Sequence, residues 1–305
     1  MEKIGFIGLG RMGRPMASNL IKKGFELIVH DVNAEAVDVL VNLGADAGSS
    51  VADVAARADV IITMLPNSAI VAQVVSGVDG VLSTARKGSL VLDMSTIDPN
   101  TTDAIAADCK ARGVGFVDAP VGRLATHADI GQSLFMVGGE DADFERVKAM
   151  LEAMGSTIYH CGPCGAGTRS KIVNNFLAVS LCQLNAEALT LATGLGLDIE
   201  STLDVLYGTT ATNGQLRINW LQKVLVGDTS AGFTIDLAHK DLTLVMESAN
   251  AAKVPMPMAA AAREAFSQAR ARKFGGKDFS AMLDANCDAV GLEPPRLPQG
   301  SRHRT

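Results

Sequence analysis

The sequence lacks what several classes of partner require. Its 27 lysines and arginines are outnumbered by 33 aspartates and glutamates, for a formal net charge of −6. No basic surplus therefore prepares it for nucleic acid or an anionic membrane. No uninterrupted apolar run reaches the roughly 18 residues that argue for a transmembrane helix. Glu2 and Lys3 lead directly into a strand pattern rather than a secretory leader. These absences predict a soluble, cytoplasmic protein. The five cysteines (Cys109, Cys161, Cys164, Cys182 and Cys287) are odd in number and widely spread, which predicts free thiols. Cys161-Gly162-Pro163-Cys164 has the spacing of a redox pair, but it falls in a turn between two expected domains rather than at the start of a helix in a small redox fold. The five histidines show no metal-ligand spacing, so no metal site is expected.

What is present begins at the fourth residue. Ile4–Ile7 is an apolar strand pattern, followed by Gly8-Leu9-Gly10-Arg11-Met12-Gly13 and then by helical spacing at Met16, Leu20 and Ile21. A second strand pattern ends at Asp31, 18 residues after Gly13. Strand, G-x-G-x-x-G, helix and a carboxylate at that offset make a dinucleotide-binding fingerprint. The glycines give the tight turn, the close approach to a pyrophosphate and the helix–strand packing, while the helix N-terminus takes the phosphates. Asp31 would accept hydrogen bonds from ribose hydroxyls and repel a 2′-phosphate. No arginine follows it, so NAD is the expected cofactor. A plain helix-capping role for Asp31 is the alternative.

Strand patterns recur at Val60–Met64, Leu90–Asp93, Gly115–Asp118, Ser133–Val137 and Ser156–His160, with helical spacing between them. Such alternation predicts an α/β fold, a Rossmann-type doubly wound sheet over residues 1–163. From Arg169 to Gly194 the spacing is helical without a break, and no strand pattern follows. An all-α domain over 164–290, entered by that long helix, is therefore expected, with the site in the cleft before it. Residues 291–305 are rich in proline, glycine and polar residues and read as a disordered tail. Lys171, Asn174 and Asn175 share one face of the long helix. A snorkelling surface lysine with two incidental asparagines is the alternative. Met64-Leu65-Pro66 and Asp93-Met94-Ser95-Thr96 end strands at the carboxyl edge, where loops meet ligands in open α/β sheets. Plain helix entry is their alternative.

Four motifs in order resemble the β-hydroxyacid dehydrogenase family, which includes 3-hydroxyisobutyrate, tartronate semialdehyde and 6-phosphogluconate dehydrogenases. They are the glycine-rich opening, Asp118-Ala119-Pro120-Val121, Lys171-x-x-Asn174-Asn175, and Leu237-x-x-Lys240-Asp241. The resemblance implies an NAD-dependent oxidoreductase with Lys171 as catalytic acid/base and Asn175 orienting the substrate. It also implies Asn174 on the substrate side, Lys240 closing the site from the helical domain, and Leu65, Pro66 and Thr96 against the cofactor. The family usually continues Asp-Ala-Pro-Val with Ser-Gly-Gly, whereas this chain has Gly122-Arg123-Leu124. A guanidinium with five fixed donors suits a demanding oxyanion. The implied substrate is a small anionic aldehyde carrying a sulfonate, or alternatively a carboxylate, with Gly122 and Arg123 binding the anion. A surface ion pair is the other reading of Arg123. The long helix has apolar surface to spare, which suggests a homodimer or homotetramer.

Overall fold

Short runs of valine, isoleucine and leucine, buried on both faces, form the middle of a sheet in the computed structural model, which describes residues 2–304. The strands are β1 Ile4–Ile7, β2 Leu27–His30, β3 Asp46–Ala47, β4 Val60–Thr63, β5 Leu90–Asp93, β6 Gly115–Asp118, β7 Val121–Gly122, β8 Ser133–Gly138 and β9 Gly155–Gly162. Their order is β3-β2-β1-β4-β5-β6-β8-β7, with β9 beside β8. The strands from β3 to β6 in that order are parallel, β8 runs antiparallel to β6 and β7, and β9 lies parallel to β8. Side chains alternate across the strands. Ile4, Phe6, Val60, Ile62, Leu90 and Leu92 enter one core layer, while Ile7, Ile61 and Val91 enter the other.

The helices that carry the crossovers are α1 Gly13–Lys22, α2 Ala34–Val41, α3 Val51–Arg57, α4 Ser68–Ser76, α5 Val81–Thr84, α6 Pro99–Ala111, α7 Ala125–Asp129 and α8 Asp141–Met154. Met16 and Leu20 of α1 close the first layer, and Val54 of α3 with Val71 of α4 close the second. Asn33, Ser50, Asn67 and Asp98 cap α2, α3, α4 and α6 through their side chains, so local chemistry starts each of these helices.

The chain divides into two compact units at Ile172/Val173, nine residues beyond the expected boundary. The division falls inside α9, Ala166–Gly194, because its first turns bond the sheet unit: Thr102 to Thr168, and Asp103 to Arg169. The second unit continues with α10 Ile199–Tyr207, α11 Trp220–Gln222, α12 Ile235–Ala251, α13 Pro257–Ala271 and α14 Met282–Ala289. Val179, Cys182, Ala186 and Leu189 of α9 meet Trp220, Leu242, Phe266 and Met282 in its core. Among its described residues the only β pairing is an isolated bridge between Thr234 and Asp278. Between α10 and α12 the chain forms a π-turn at Gln215–Asn219, then α11, then a 3₁₀ turn at Val224–Val226.

Two expectations are corrected. The tail is ordered over its described residues. Leu297 is buried and its N–H donates to the Leu225 carbonyl at 2.8 Å, while Arg302 and His303 both reach Asp204 on α10. The composition is polar, yet Leu297, Arg302 and His303 each find a partner. The second concerns membrane spans: although no uninterrupted apolar run is long enough, α9 is long and apolar enough for one by length and composition alone. Its apolar residues are interspersed with polar ones, and its core stripe accounts for much of that apolarity.

Candidate active site

The glycine-rich loop is built so that side chains would close it. Gly8 has φ 98°, and a Cβ there would lie 2.3 Å from the Met64 carbonyl oxygen. On Gly13 a Cβ would lie 1.9 Å from the Gly8 carbonyl oxygen, which is why helix and strand can touch. Gly10 faces open space within 4 Å. No side chain caps α1 and no acid occupies its first turn. An open glycine before an uncapped helix N-terminus fits a pyrophosphate. Asp31, at the end of β2, accepts from Leu9 N–H at 2.6 Å and from Asn33 N–H at 2.8 Å. It thus fixes the loop, and it does not cap α2, a role taken by Asn33. Arg11 is exposed and pairs with Asp129 at 3.4 Å, while Met12 packs on the core.

Gly13→Ala should therefore displace the Gly8 turn. Overpacking of this kind costs about 1–3 kcal/mol. A lower thermal midpoint is expected, with weaker NADH binding in a fluorescence titration. Unchanged affinity would mean the loop relaxes without touching the nucleotide.

The carboxyl edge of the sheet carries a row of register partners: Ile7, Thr63, Asp93 and Asp118. Asp93 accepts from Thr63 Oγ1 at 2.8 Å and from Ser95 N–H at 3.1 Å, and Ser95 Oγ accepts from Leu65 N–H at 2.9 Å. One buried carboxylate thereby fixes both loops expected on the nicotinamide side, those of Leu65-Pro66 and Thr96. Asp118 accepts from Gly165 N–H and Thr168 N–H, both at 2.6 Å. Burial pushes both carboxyls above their ordinary range, and their hydrogen bonds pull the other way.

Lys171 lies three residues after Thr168, and its Nζ donates to the Val121 carbonyl at 2.7 Å. The ammonium therefore stands on the Asp-Ala-Pro-Val segment, beside Gly122, whose backbone pairs with Leu134 across β7 and β8. Arg123 departs from expectation. Its φ is 69°, and the guanidinium donates to Gln132 O at 2.8 Å, Ser156 Oγ at 3.0 Å and Thr157 Oγ1 at 3.1 Å. The expected open anion clamp is instead bonded to the β8–β9 end of its own sheet, because the left-handed turn after β7 brings the side chain there.

In the helical unit, Asn174 Nδ2 donates to Asn175 Oδ1 at 3.0 Å, and Asn175 Nδ2 donates to Asp241 Oδ2 at 2.6 Å. Lys240 Nζ donates to the other oxygen of Asp241 at 3.1 Å. Asp241 is buried and orients two of the expected site residues at once. Asp93, Asp118 and Asp241 were not expected as organising residues. The signal for the last two was their place in the quoted motifs, and for Asp93 its position at a strand end. The thiols are all free, and only Cys161 is exposed. Burial pushes Cys109 and Cys164 up to about 12, the direction opposite to the lowered thiol of a redox centre.

Residues 3–162 match the family model described as the NAD binding domain of 6-phosphogluconate dehydrogenase. Residues 165–285 match the one described as the NAD-binding of NADP-dependent 3-hydroxyisobutyrate dehydrogenase. The chain is 46% identical to 3-sulfolactaldehyde reductase of Escherichia coli, over 96% of this chain and 98% of that protein. It is 39% identical to 2-(hydroxymethyl)glutarate dehydrogenase of Eubacterium barkeri, over 92% of this chain and 93% of that one. The structure of Mycobacterium tuberculosis 3-hydroxyisobutyrate dehydrogenase with L-serine superposes with a TM-score of 0.86 at 31% identity, covering 93% of this chain and 99% of that one. With its glycine cradle, its sheet order and its motifs in sequence, the chain belongs to the β-hydroxyacid dehydrogenase family, nicotinamide-dependent oxidoreductases that act on CH–OH groups.

Proposed function

We propose that this enzyme uses NADH to reduce a small anionic aldehyde, 3-sulfolactaldehyde, to 2,3-dihydroxypropane-1-sulfonate, in the cytoplasm and as a homodimer or homotetramer. The observation that carries the reading is the 2.7 Å bond from Lys171 Nζ to Val121 O, which puts a proton donor beside Gly122 and Arg123. A bound nicotinamide supplies the hydride that converts the carbonyl to an alcohol. Protonated Lys171 donates from Nζ to the carbonyl oxygen as negative charge develops there. In the reverse direction neutral Lys171 accepts the hydroxyl proton. Asn174 and Asn175 orient the substrate, and Asp241 holds the Asn175 amide in one orientation for that task. Gly8, Gly10, Arg11, Met12 and Gly13 hold the pyrophosphate, with Leu65, Pro66, Thr96 and Lys240 on the cofactor. Val173, Leu177, Leu184 and Leu191 are exposed apolar residues of α9 and support the oligomer.

Arg123 takes the substrate anion by exchanging its bonds to Ser156 and Thr157. Exposed bonds from the guanidinium to neutral hydroxyls contribute less than a guanidinium–oxyanion pair, in which both partners are charged. The second reading is a carboxylate substrate, favoured by the 2-(hydroxymethyl)glutarate dehydrogenase relative and by the equal suitability of guanidinium for carboxylate.

Specificity constants measured from NADH absorbance separate the two. The expected order places 3-sulfolactaldehyde above tartronate semialdehyde. NADH should exceed NADPH by roughly 10- to 100-fold, since the Asp31 carboxylate opposes a 2′-phosphate. A higher constant for the carboxylate moves the assignment to the second reading, and parity of NADPH removes Asp31 as the selector.

A further inference from the structure

We propose that Asp118 is a positioning residue for Lys171: it pins the first turn of α9 to the end of β6, and so sets where the lysine ammonium stands along the Asp118–Val121 segment. The inference rests on the reading of Lys171 as acid/base, and it concerns a residue outside the set just assigned to substrate and cofactor.

A closed circuit carries it. Asp118 Oδ1 accepts from Gly165 N–H and Oδ2 from Thr168 N–H, each at 2.6 Å, so both oxygens engage the start of the helix. One turn on, Lys171 Nζ returns to the Val121 carbonyl at 2.7 Å, three residues after Asp118. The carboxylate and the acceptor for the ammonium thus lie on one short strap, and the helix between Gly165 and Lys171 closes the loop. Two close approaches remove slack. A Cβ on Gly167 would lie 2.2 Å from the Met136 carbonyl oxygen, and one on Gly138 would lie 2.5 Å from Asp118 Oδ1. The turn of α9 that precedes the lysine is therefore pressed against β6 and β8 with no room to slide.

Asp118 is 1% exposed. A carboxylate at a helix start favours the dipole, and here it is donated from a residue 47 positions earlier rather than from the helix's own cap. Loss of one of the two contacts frees the helix start to shift. A displacement near 1 Å of a reacting group costs on the order of 100-fold in rate.

The test is a mutant cycle on the full chain, reading kcat and the NADH dissociation constant together. Asp118→Asn keeps the size and one acceptor, and removes the second acceptor and the charge. Its kcat is expected to fall on the order of 100-fold, with the NADH dissociation constant unchanged within about twofold, a split that general loosening of the nucleotide domain would not give. Against a Lys171→Ala background the same change should cost almost nothing further, because its effect passes through the lysine. A full additional loss in that background overturns the proposal, as does wild-type kcat in Asp118→Asn. Should Asp118→Asn not fold, Asp118→Glu enters the same cycle, and failure of both to fold overturns the proposal in favour of a purely structural role. If Lys171→Ala itself retains turnover, it is the reading of Lys171 that falls, which is a separate outcome.

Discussion

Lys171→Ala is expected to lower kcat by about 10²–10⁴-fold, the usual contribution of a positioned general acid, and to leave NADH affinity within about twofold of wild type. The two halves of that expectation come from different parts of the chain. Gly8 and Gly10 precede α1 and Gly13 opens it, whereas Lys171 is carried by α9 and bonds the Val121 carbonyl. Lys171→Arg makes the sharper control, since arginine keeps the charge but does not exchange its proton at accessible pH. If arginine restored turnover, the lysine would be acting as a fixed charge rather than as a proton donor. Single-turnover absorbance at 340 nm with stopped-flow mixing reads the chemical step directly, and wild-type rates in Lys171→Ala would remove the residue from the mechanism.

Arg123→Gly is expected to raise KM for 3-sulfolactaldehyde steeply and for the uncharged analogue glyceraldehyde far less. Loss of a charge-assisted contact is worth on the order of 2–4 kcal/mol, roughly 30- to 1000-fold. The lower part of that range is expected here, because the guanidinium gives up bonds to Ser156 and Thr157 to reach the anion. Glycine is the right replacement: Arg123 has φ 69°, a left-handed conformation that glycine adopts without strain. Backbone relief of about 1 kcal/mol partly offsets the three lost bonds, so the variant should fold. Equal loss for charged and neutral substrates would make Arg123 a brace for the β8–β9 end rather than a substrate ligand.

The parts of the fold that were legible in the sequence are those with local causes. Four-residue strands such as Val60–Thr63 and Leu90–Asp93 are buried on both faces and read as solid apolar runs. The glycines of the cradle are legible because contacts of about 2 Å at Gly8 and Gly13 exclude every other residue. β3 and β7 have two residues each, too few to show a period. The domain boundary was misplaced because Gly162 and Pro163 end a strand, which reads as a domain break, while the turns after it still belong to the sheet unit. The organising carboxylates were hidden for a different reason. Asp93 meets Thr63 across 30 positions, Asp118 meets Thr168 across 50 and Asp241 meets Asn175 across 66. Which acids are buried, and what they hold, is decided by tertiary pairing. Arg123 is the converse case: its identity was visible but its direction was not, since that depends on a backbone turn and on Ser156 and Thr157 in β9.

The uneven burial of the thiols makes the chain chemically addressable at one point. Cys109, Cys182 and Cys287 are buried, and Cys164 is half-buried with its thiol pushed up to about 12, so its reactive thiolate is scarce at neutral pH. Cys161 alone is exposed, near the end of β9 and five residues before α9 begins. A maleimide fluorophore would therefore attach once, without engineered cysteines, at the approach to the helix that carries Lys171. Its emission becomes an optical gauge of that helix start, readable in real time as nucleotide and aldehyde arrive.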